Sequence, residues 1–340
     1  MPKVLVTGGT GYIGSHTAID LLDSGFDVIS IDNYSRSEED SLNRIEAISG
    51  VRIKNYEVDL CDLEATKEVF RENPDIEGII HFAAFKSVPE SVDEPMLYYK
   101  NNLVSLVNIL ECVEEFKVKD FVFSSSCSVY GNIEKMPVTE DTPFPEAESP
   151  YAYTKQIGEK TIKDLAKVSS SRFILLRYFN PVGAHESGLN GEVVKGKPQN
   201  LVPSITQFAA GKQERFVVSG SDYETRDGTC VRDYIHVMDI AHGHVLALQY
   251  LGEGRNKSNC EVFNLGSGNG VSVLEALQSF ERVSGMKLNY ELGPRRPGDV
   301  ISIYADNSKA KNILGWTATR DIDTMMNSAW IWEQKMNVSV

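Results

Sequence analysis

A glycine-rich turn near the start of the chain constrains the fold more than any other feature of the sequence. Residues 7–14 read TGGTGYIG and follow a short apolar strand pattern, Lys3 to Thr7. Gly8, Gly11 and Gly14 permit a tight turn, close approach of the backbone to a pyrophosphate, and close packing of the following helix on the strand. The start of such a helix offers free N–H groups and a positive dipole end. We therefore predict a dinucleotide-binding unit, with a merely tight strand–helix turn as the alternative.

The first half of the chain alternates between strand and helix patterns. The first helix pattern stops at Gly25, and Asp27 to Ile31 forms the second strand. Later strands are predicted at Val51–Val58, Ile76–Ala83, Phe121–Ser125 and Phe173–Phe179, and helices at Met96–Phe116 and Tyr151–Lys167. Strands that are separated by helices form a parallel sheet with right-handed crossovers. We predict an α/β, doubly wound (Rossmann) fold.

The regular alternation of strand and helix patterns ends after Asn180. Pro181 to Gln199 is rich in Gly, Pro and Asn, and we predict a long loop there, of a length that is usually functional. Short strand and helix patterns are mixed beyond it. We therefore predict a dinucleotide-binding domain at residues 1–180 and a second, smaller mixed α/β substrate domain at residues 181–340. Some later strands, at about 230–262, can return to the first sheet.

Charge and composition exclude several classes of function. Lys and Arg total 34 against 48 Asp and Glu, which gives a formal charge of −14 and disfavours a nucleic-acid partner. A small anionic ligand remains possible where a few arginines gather at one spot. The 5 cysteines are dispersed, so neither a disulfide framework nor a metal site is predicted. Because we see no signal peptide and no membrane-length apolar run, we expect a soluble, cytoplasmic protein.

Acidic and small residues at strand ends indicate which dinucleotide would bind. Asp32 closes the second strand, where a carboxylate can bond a ribose 2′-hydroxyl and repel a 2′-phosphate. NAD is therefore favoured over NADP, although Arg36 could accept a phosphate. Asp59 ends the third strand and either meets the adenine or caps the helix that begins at Leu63. Ala83–Ala84 leave room for a cofactor or simply pack.

A tyrosine, a lysine and a serine form the candidate catalytic group. Tyr151 and Lys155 stand four residues apart and therefore share one face of a helix. A nearby ammonium, together with the charge of oxidised nicotinamide, can lower the pKa of a tyrosine from its usual value of about 10. Ser124–Ser126 close the fifth strand at the sheet edge where ligands bind, and one hydroxyl there can share a proton with substrate. A solvated helix face and a serine-rich turn are the alternatives.

Several longer motifs carry a family resemblance. They are GYIGSH at 11–16, HFAAFK at 81–86, SSS at 124–126, VYG at 129–131, LRYFNPVGAH at 176–185, VRDYIHVMD at 231–239 and NLG at 264–266. With these motifs the chain resembles the UDP-glucose 4-epimerases (UDP-galactose 4-epimerases) of the extended short-chain dehydrogenase/reductase superfamily. The resemblance spans essentially the whole chain.

The resemblance implies reversible inversion at C4 of a UDP-hexose through a transient 4-keto sugar and tightly bound NAD. Tyr151 would be the base and acid, Lys155 would lower its pKa, and Ser126 would bridge to the sugar oxygen. The implied NAD contacts are Gly8, Gly11, Tyr12, Ile13, Gly14, Asp32, Asn33, Tyr34, Ser35, Arg36, Ser37, Asp59, Leu60, Phe82, Ala83, Ala84, Phe85, Lys86, Asn101, Ser126, Tyr151, Lys155 and Phe179. The implied UDP-sugar contacts are Lys86, Ser126, Tyr151, Tyr178, Phe179, Asn180, Asn200, Leu201, Val217, Val218, Ser219, Arg232, Arg296, Asp299 and Ile303.

Departures from the family pattern leave alternatives open. The loop at 193–198, with the sequence VVKGKP, differs from the usual run of the family. Ile303 stands at the position that gates the sugar pocket and is intermediate in size, which leaves a UDP-N-acetylglucosamine or bifunctional 4-epimerase as an alternative. Cys127 and Ser128 replace the acid pair that a sugar-nucleotide 4,6-dehydratase needs. A non-catalytic NAD-binding regulator is the alternative from another class, but such proteins typically lose the Tyr–Lys pair.

The family also implies a homodimer. Helices around Asn101–Phe116 and Tyr151–Lys167 could supply its bundle, or their apolar faces could pack only on their own sheet. Arg232 and Arg296 would provide the local positive charge that an acidic protein needs to hold a diphosphate. Neither nucleic acid nor a membrane is an expected partner.

Overall fold

The computed structural model describes residues 1–295 and 300–338, in which a large parallel sheet lies between two layers of helices. The strands are β1 (Lys3–Thr7), β2 (Asp27–Ile31), β3 (Lys54–Tyr56), β4 (Ile76–His81), β5 (Asp120–Ser126), β6 (Arg172–Tyr178), β7 (Asn180–Val182), β8 (Phe216–Ser219), β9 (Val231–His236), β10 (Cys260–Leu265), β11 (Gly270–Ser272), β12 (Tyr290–Gly293) and β13 (Ser302–Ile303). The α-helices are α1 (Tyr12–Asp23), α2 (Asp40–Ser49), α3 (Leu63–Glu72), α4 (Val88–Asp93), α5 (Pro95–Glu115), α6 (Pro150–Leu165), α7 (Leu201–Ala209), α8 (Val237–Gly252), α9 (Val273–Ser284) and α10 (Ile322–Val338).

The large sheet has 7 strands in the order β10-β6-β5-β4-β1-β2-β3. All of its pairings are parallel, as helical crossovers require. Strand order reverses direction at β1, so the carboxyl ends of β1 and β4 flank the switch point where such sheets bind ligands. The predicted doubly wound fold is confirmed.

Side chains of β1 show how both faces of the sheet are buried. Val4 and Val6 pack in one apolar cluster with residues of α1 and α8, such as Ile19. Leu5 points to the opposite face and packs with residues of α3 and α5, such as Ile109. Successive strand residues face opposite sides, so a strand buried on both faces needs a continuous apolar run. The apolar run in β1 meets that need.

The smaller part of the fold is built on β9. This strand pairs with β7 and β13 in parallel and with β11 antiparallel. A separate pair, β8 with β12, lies beside a third apolar cluster that includes Phe216 and Phe280. The predicted loop after Asn180 begins instead with β7 and then stays irregular until Leu201. Pairing with β9 draws the first residues of this segment into the small sheet.

The chain returns to the large sheet after the small one has begun. β10 (Cys260–Leu265) pairs with β6, whereas β9 (Val231–His236) belongs to the small sheet. α8, between these strands, packs against α1. The predicted domain boundary near residue 180 remains a prediction. None of the helices in residues 1–295 and 300–338 combines the length and apolarity that a membrane span requires.

Candidate active site

The β1–α1 turn is packed so closely that no side chain fits at Gly8 or Gly14. A Cβ atom on Gly8, whose φ is +71°, would lie 2.9 Å from the backbone nitrogen of Ala83 at the end of β4. A Cβ on Gly14 would lie 2.1 Å from the carbonyl oxygen of Gly8. α1 begins with Gly11 as its N-cap, which supplies no side-chain bond to the first N–H groups. These N–H groups form an opening that suits a diphosphate.

Asp32 lies at the end of β2, directly beside this turn. Its carboxylate accepts hydrogen bonds from the backbone N–H of Tyr34 (2.9 Å), the Ser37 hydroxyl (2.8 Å) and the backbone N–H of Thr10 (3.2 Å). A carboxylate fixed in this way can accept from a ribose hydroxyl and repels a phosphate at the same place. Arg36 forms an ion pair with Glu90 at 2.7 Å, so its guanidinium is engaged elsewhere.

The structure separates the two alternative roles of Asp59. The N-cap of α3 is Asp62, which accepts from the backbone N–H of Ala65 at 3.0 Å. Asp59 instead accepts from the N–H of Cys61 at 2.9 Å, so the capping alternative for Asp59 is wrong. Leu60 is buried in the core, which leaves only its backbone to face a ligand.

The residues after β4 meet α5 and the long loop. The backbone of Phe85 is held by Asn102, the neighbour of Asn101 on α5 (N–H to Oδ1, 2.8 Å). Lys86 forms an ion pair with Glu192 of the loop at 3.0 Å. This loop also crosses the glycine turn, because the Asn190 amide donates to the Ser15 hydroxyl at 3.0 Å. The loop after residue 182 therefore lies across the predicted dinucleotide site.

Tyr151 and Lys155 lie in the first two turns of α6, and the start of this helix is capped. The Ser149 hydroxyl accepts from the backbone N–H of Ala152 at 3.2 Å, and Pro150 occupies the first helical position. Lys155 is 5% exposed, and its Nζ donates to the carbonyl oxygen of Ser124 at 2.6 Å. The Tyr–Lys helix is thereby attached to the end of β5.

Burial shifts the ionisation of both groups. It raises the pKa of Tyr151 to about 12, against the opposing effect of a hydrogen bond with the Ser126 side chain. It lowers the pKa of Lys155 to about 7, against the attraction of Glu159. In the protein alone, apolar surroundings therefore favour the uncharged form of each group. A further positive charge beside Tyr151 is needed to make its phenolate accessible near neutral pH.

Only one of the three serines at the end of β5 remains available to Tyr151. The Ser124 hydroxyl is bonded to the hydroxyl of Tyr178, and the Ser125 hydroxyl donates to Glu159 at 2.6 Å. Ser126 accepts from the backbone N–H of Ser128 at 3.2 Å and also bonds Tyr151. The geometry selects Ser126.

The predicted UDP-side residues fall into two groups. Phe179 is buried, and Asn180 donates its amide to the carbonyl of Asp233 at 3.1 Å, beside Arg232 on β9. Arg232 lies in register with Ile303 of β13, so this pair is brought together. Tyr178 is nearly buried and its hydroxyl is occupied by Ser124.

The second group lies on α7 and β8. Asn200 is the N-cap of α7, which starts at Leu201, and its amide donates to Glu192 at 3.3 Å. On β8, Val217 is exposed, Ser219 is partly buried, and Val218 is only 1% exposed, so the side chain of Val218 packs in the core. Only the backbone of Val218 can reach a ligand. Arg296 and Asp299 lie outside the described residues.

Comparisons with known proteins agree on one family. A family model described as GDP-mannose 4,6 dehydratase matches residues 5–329. The UDP-glucose 4-epimerase of Bacillus subtilis (strain 168) is 48% identical over 337 residues, which cover 99% of this chain and 98% of that protein. The chain belongs to the UDP-glucose 4-epimerase family. The resemblance predicted from the sequence is confirmed.

Solved structures of the UDP-glucose 4-epimerase family share the whole fold. The enzyme from Stenotrophomonas maltophila, with bound NAD and formylated UDP-arabinopyranose, superposes with a TM-score of 0.96 at 41% identity, covering 100% of both chains. The enzyme from Bifidobacterium longum, in complex with NAD+ and UDP, gives a TM-score of 0.94 at 45% identity. That match covers 99% of this chain and 100% of the other.

The dehydratase description of the family model does not extend to the residues after β5. Cys127 and Ser128 begin a 3₁₀ turn there, at Cys127–Tyr130, where a dehydratase would need an acid pair. Burial raises the pKa of the Cys127 thiol to about 12, so that group stays neutral. The two positions after β5 therefore carry no acid pair for water elimination.

Two buried carboxylates, which support the strands and the helix of the candidate site, were not identified from the sequence. Asp233 accepts from the backbone N–H groups of Ser267 (2.8 Å), Gly268 (3.1 Å) and Ala305 (3.1 Å). Its position inside the VRDYIHVMD motif was a signal that could have pointed to it. Glu159 was also missed, although it follows Lys155 by one helical turn.

We expect Gly14→Ala to weaken dinucleotide binding by about tenfold or more, because the added Cβ must displace the carbonyl of Gly8. NAD binding is measured by fluorescence titration of the purified, cofactor-stripped protein. Gly252→Ala is the matched control, because a Cβ there meets nothing within 4 Å. Equal NAD affinity in the two variants would contradict the close packing of the turn.

Proposed function

We propose that this chain is an NAD-dependent 4-epimerase that interconverts UDP-galactose and UDP-glucose. One observation carries the proposal: Tyr151, Lys155 and Ser126 meet at the carboxyl end of β5, in the fold whose glycine turn and Asp32 suit NAD. The Bacillus subtilis relative and the two solved structures described above are named UDP-glucose 4-epimerases, and both of those structures hold NAD. A non-catalytic regulator would have no need for this group.

NAD, when bound, supplies the hydride acceptor and donor for the sugar C4, so that the net redox change is zero. The residues present fit this cofactor. The uncapped start of α1 suits its diphosphate, and Asp32 suits a ribose hydroxyl. We propose that Tyr151 moves the proton of the sugar 4-hydroxyl, taking it at the phenolate oxygen and later returning it. Ser126 holds that hydroxyl in line.

Lys155 acts on the proton transfer through its charge. An ammonium near Tyr151 stabilises the phenolate and lowers the pKa of Tyr151 from the high value that burial imposes. The carbonyl of Ser124 holds the Nζ atom in place at 2.6 Å. Lys155 must therefore keep its proton while Tyr151 loses its own.

The sugar must present both faces in turn, so its tail needs a fixed anchor. We propose that Arg232 holds the diphosphate together with Arg296 and that Asp299 completes this side. Bidentate bonds from a guanidinium orient a diphosphate more firmly than a single ammonium would. An anchored tail with a free hexose permits the rotation that inversion at C4 requires.

Purified protein incubated with UDP-galactose, without added NAD, is expected to form UDP-glucose. In the same assay we expect Tyr151→Phe to lose about 10²- to 10⁴-fold in kcat, because it removes the proton carrier. NAD content and thermal unfolding should match the parent, since the ring remains. Product formation is followed by chromatography of the two UDP-sugars. A Tyr151→Phe variant with near-parental kcat would refute the base assignment.

A second substrate is proposed from the size of Ile303. Ile303 is 5% exposed and belongs to the same apolar cluster as Phe179. In the family, a bulky tyrosine here accompanies strict use of glucose and galactose. We expect measurable but secondary turnover of UDP-N-acetylglucosamine, checked by paired kcat/KM values on both sugars. Complete inactivity on the N-acetylated sugar would contradict a gate formed by Ile303, and Ile303→Tyr should abolish that activity selectively.

We also propose a homodimer formed through the outer faces of α5 and α6. Val104 (38% exposed), Val107 (44%) and Tyr153 (47%) lie on these helices, which pack against each other. Several exposed apolar side chains on adjoining helices are typical of an interface.

The 5 cysteines are free, which supports the proposal that the protein is located in the cytoplasm.

Sedimentation equilibrium is expected to give twice the chain mass of 37.8 kDa. Val107→Glu should shift the protein toward the monomer, because it places a charge within the apolar patch. Val168→Glu is the matched control, since Val168 is 84% exposed beyond the end of α6. A parental protein that sediments as a monomer would exclude the dimer.

A further inference from the structure

A buried ion pair lies one helical turn beyond the catalytic lysine. Glu159 follows Lys155 on α6, and its side chain is 0% exposed, while that of Arg177 on β6 is 2% exposed. The guanidinium donates from Nε to Oε1 and from Nη2 to Oε2, both at 2.7 Å. This bidentate arrangement fixes the orientation of the carboxylate as well as its position.

Glu159 also connects α6 to the strand that carries the candidate serine. The hydroxyl of Ser125 donates to Oε1 of Glu159 at 2.6 Å, and Ser126 is the next residue on β5. One turn earlier on the same helix, Lys155 Nζ donates to the carbonyl of Ser124 at 2.6 Å. Two polar contacts, one turn apart on α6 and on adjacent residues of β5, fix how far the helix lies along the strand.

Arg177 is itself held on several sides. Its Nη1 donates to the hydroxyl of Tyr130 at 2.9 Å and to the carbonyl of Glu140 at 3.1 Å. Its guanidinium lies 5.0 Å from the ring centre of Tyr130 and 4.7 Å from that of Phe144. The ion pair therefore joins α6 and β5 to β6 and to the segment after β5.

Stability alone does not account for this arrangement. Burying two charges costs solvation free energy, and their mutual attraction offsets only part of that cost. Apolar residues of similar volume often stabilise a core equally well. Glu159 is within the turn that follows Lys155, where a charge acts directly on the ammonium. A negative charge at this place therefore has an electrostatic consequence that an apolar pair would lack.

We propose that Glu159 is a positioning residue for the Tyr151–Lys155 pair: it sets the place of α6 against β5 and supplies the negative charge that keeps Lys155 an ammonium. Arg177 holds Glu159 as a carboxylate. This inference rests on the proposed epimerase function, in which Lys155 must be charged for Tyr151 to act as a base.

The other groups around Lys155 do not supply that charge. On its own helix Tyr151 is a neutral phenol in the protein alone, because burial raises its pKa to about 12. From β5 come the carbonyl of Ser124 and the ring of Phe123, whose centre lies 4.8 Å from Nζ. From β4 comes His81, which is neutral because burial lowers its pKa to about 3.

On β6, beyond Ser124, Tyr178 is also a neutral phenol, because burial raises its pKa. Arg177 on the same strand is positive, and Glu159 balances it. Burial lowers the pKa of Lys155 to about 7, and Glu159 raises it in opposition. Removal of the carboxylate would leave Lys155 beside an unbalanced guanidinium. Lys155 would then lose its proton at a lower pH.

The test is Glu159→Gln, which keeps the shape of the side chain and an acceptor for Ser125 but removes the charge. The pH dependence of kcat/KM on UDP-galactose is measured for the parent and the variant. We expect the alkaline limb to move to lower pH by at least about half a unit, because the required ammonium deprotonates earlier. We also expect kcat at pH 8 to fall by about threefold or more while bound NAD is retained.

Two further variants separate charge from geometry. Lys163→Gln is the matched control: Lys163 is the partly exposed partner of the same carboxylate, with Nζ to Oε2 at 3.0 Å, and its loss should leave the limb and kcat unchanged. Glu159→Asp keeps the charge on a shorter side chain, so the limb should return to the parental pH while kcat stays reduced.

The outcomes are distinct. An unmoved alkaline limb in Glu159→Gln, with kcat lowered or not, would overturn the proposal. If Glu159→Gln does not fold, the Ser125→Ala variant is the test, because it keeps both charges and removes only the contact with β5. A several-fold loss of kcat with an unmoved alkaline limb would support the proposal. A parental kcat in this variant would overturn it. A parental protein that is inactive on UDP-galactose would contradict the proposed function itself, and with it this inference.

Discussion

The position of everything at this site depends on backbone contact between the β1–α1 turn and the end of β4. Gly8 approaches Ala83 so closely that no Cβ fits between them, and Gly14 approaches Gly8 in the same way. The N–H groups at the start of α1 are consequently held at the carboxyl edge of the sheet, beside β4 and one strand away from β5, which leads to α6. A single methyl group on Gly8 would push the turn away from the end of β4, and one on Gly14 would push α1 away from the turn. The glycines are required by distance, and only Gly8 also by its positive φ.

Burial has the same electrostatic effect on the titratable groups around the candidate active site. It raises the pKa of Tyr151 to about 12, lowers that of Lys155 to about 7 and lowers that of His81 to about 3. Each shift favours the uncharged form, so the pocket opposes a phenolate and an ammonium alike. The charges needed for proton transfer must come from neighbours. Glu159 is one such neighbour, and a cationic nicotinamide ring beside Tyr151 would be another.

Local sequence patterns predicted the large sheet, the glycine turn and the Tyr–Lys helix, because each depends on residues that are close in the chain. β1 and β2 were predicted with the bounds they have, whereas the third strand shrinks to Lys54–Tyr56 because its ends do not pair with β2. Contacts between residues that are far apart in the chain could not be predicted from local patterns. Asp62 rather than Asp59 caps α3, and the return of β10 to the large sheet was foreseen only in outline. That Ser125 meets Glu159 depends on the register of α6 against β5, which no local pattern encodes.

The proposed sugar side of the site is held together by backbone amides that donate to Asp233. Burial raises the pKa of Asp233, but the N–H groups of Ser267, Gly268 and Ala305 and the hydroxyl of Ser267 all donate to its carboxylate. These bonds hold the chain just after β13 against β9, so the frame that carries Arg232 and Ile303 is fixed independently of either side chain. A substitution at Ile303 can therefore change the space at the proposed sugar pocket without moving Arg232, the proposed diphosphate anchor. In the proposed site, sugar preference and diphosphate binding could therefore vary separately, because Asp233 holds the strands through donors other than the side chains of Arg232 and Ile303.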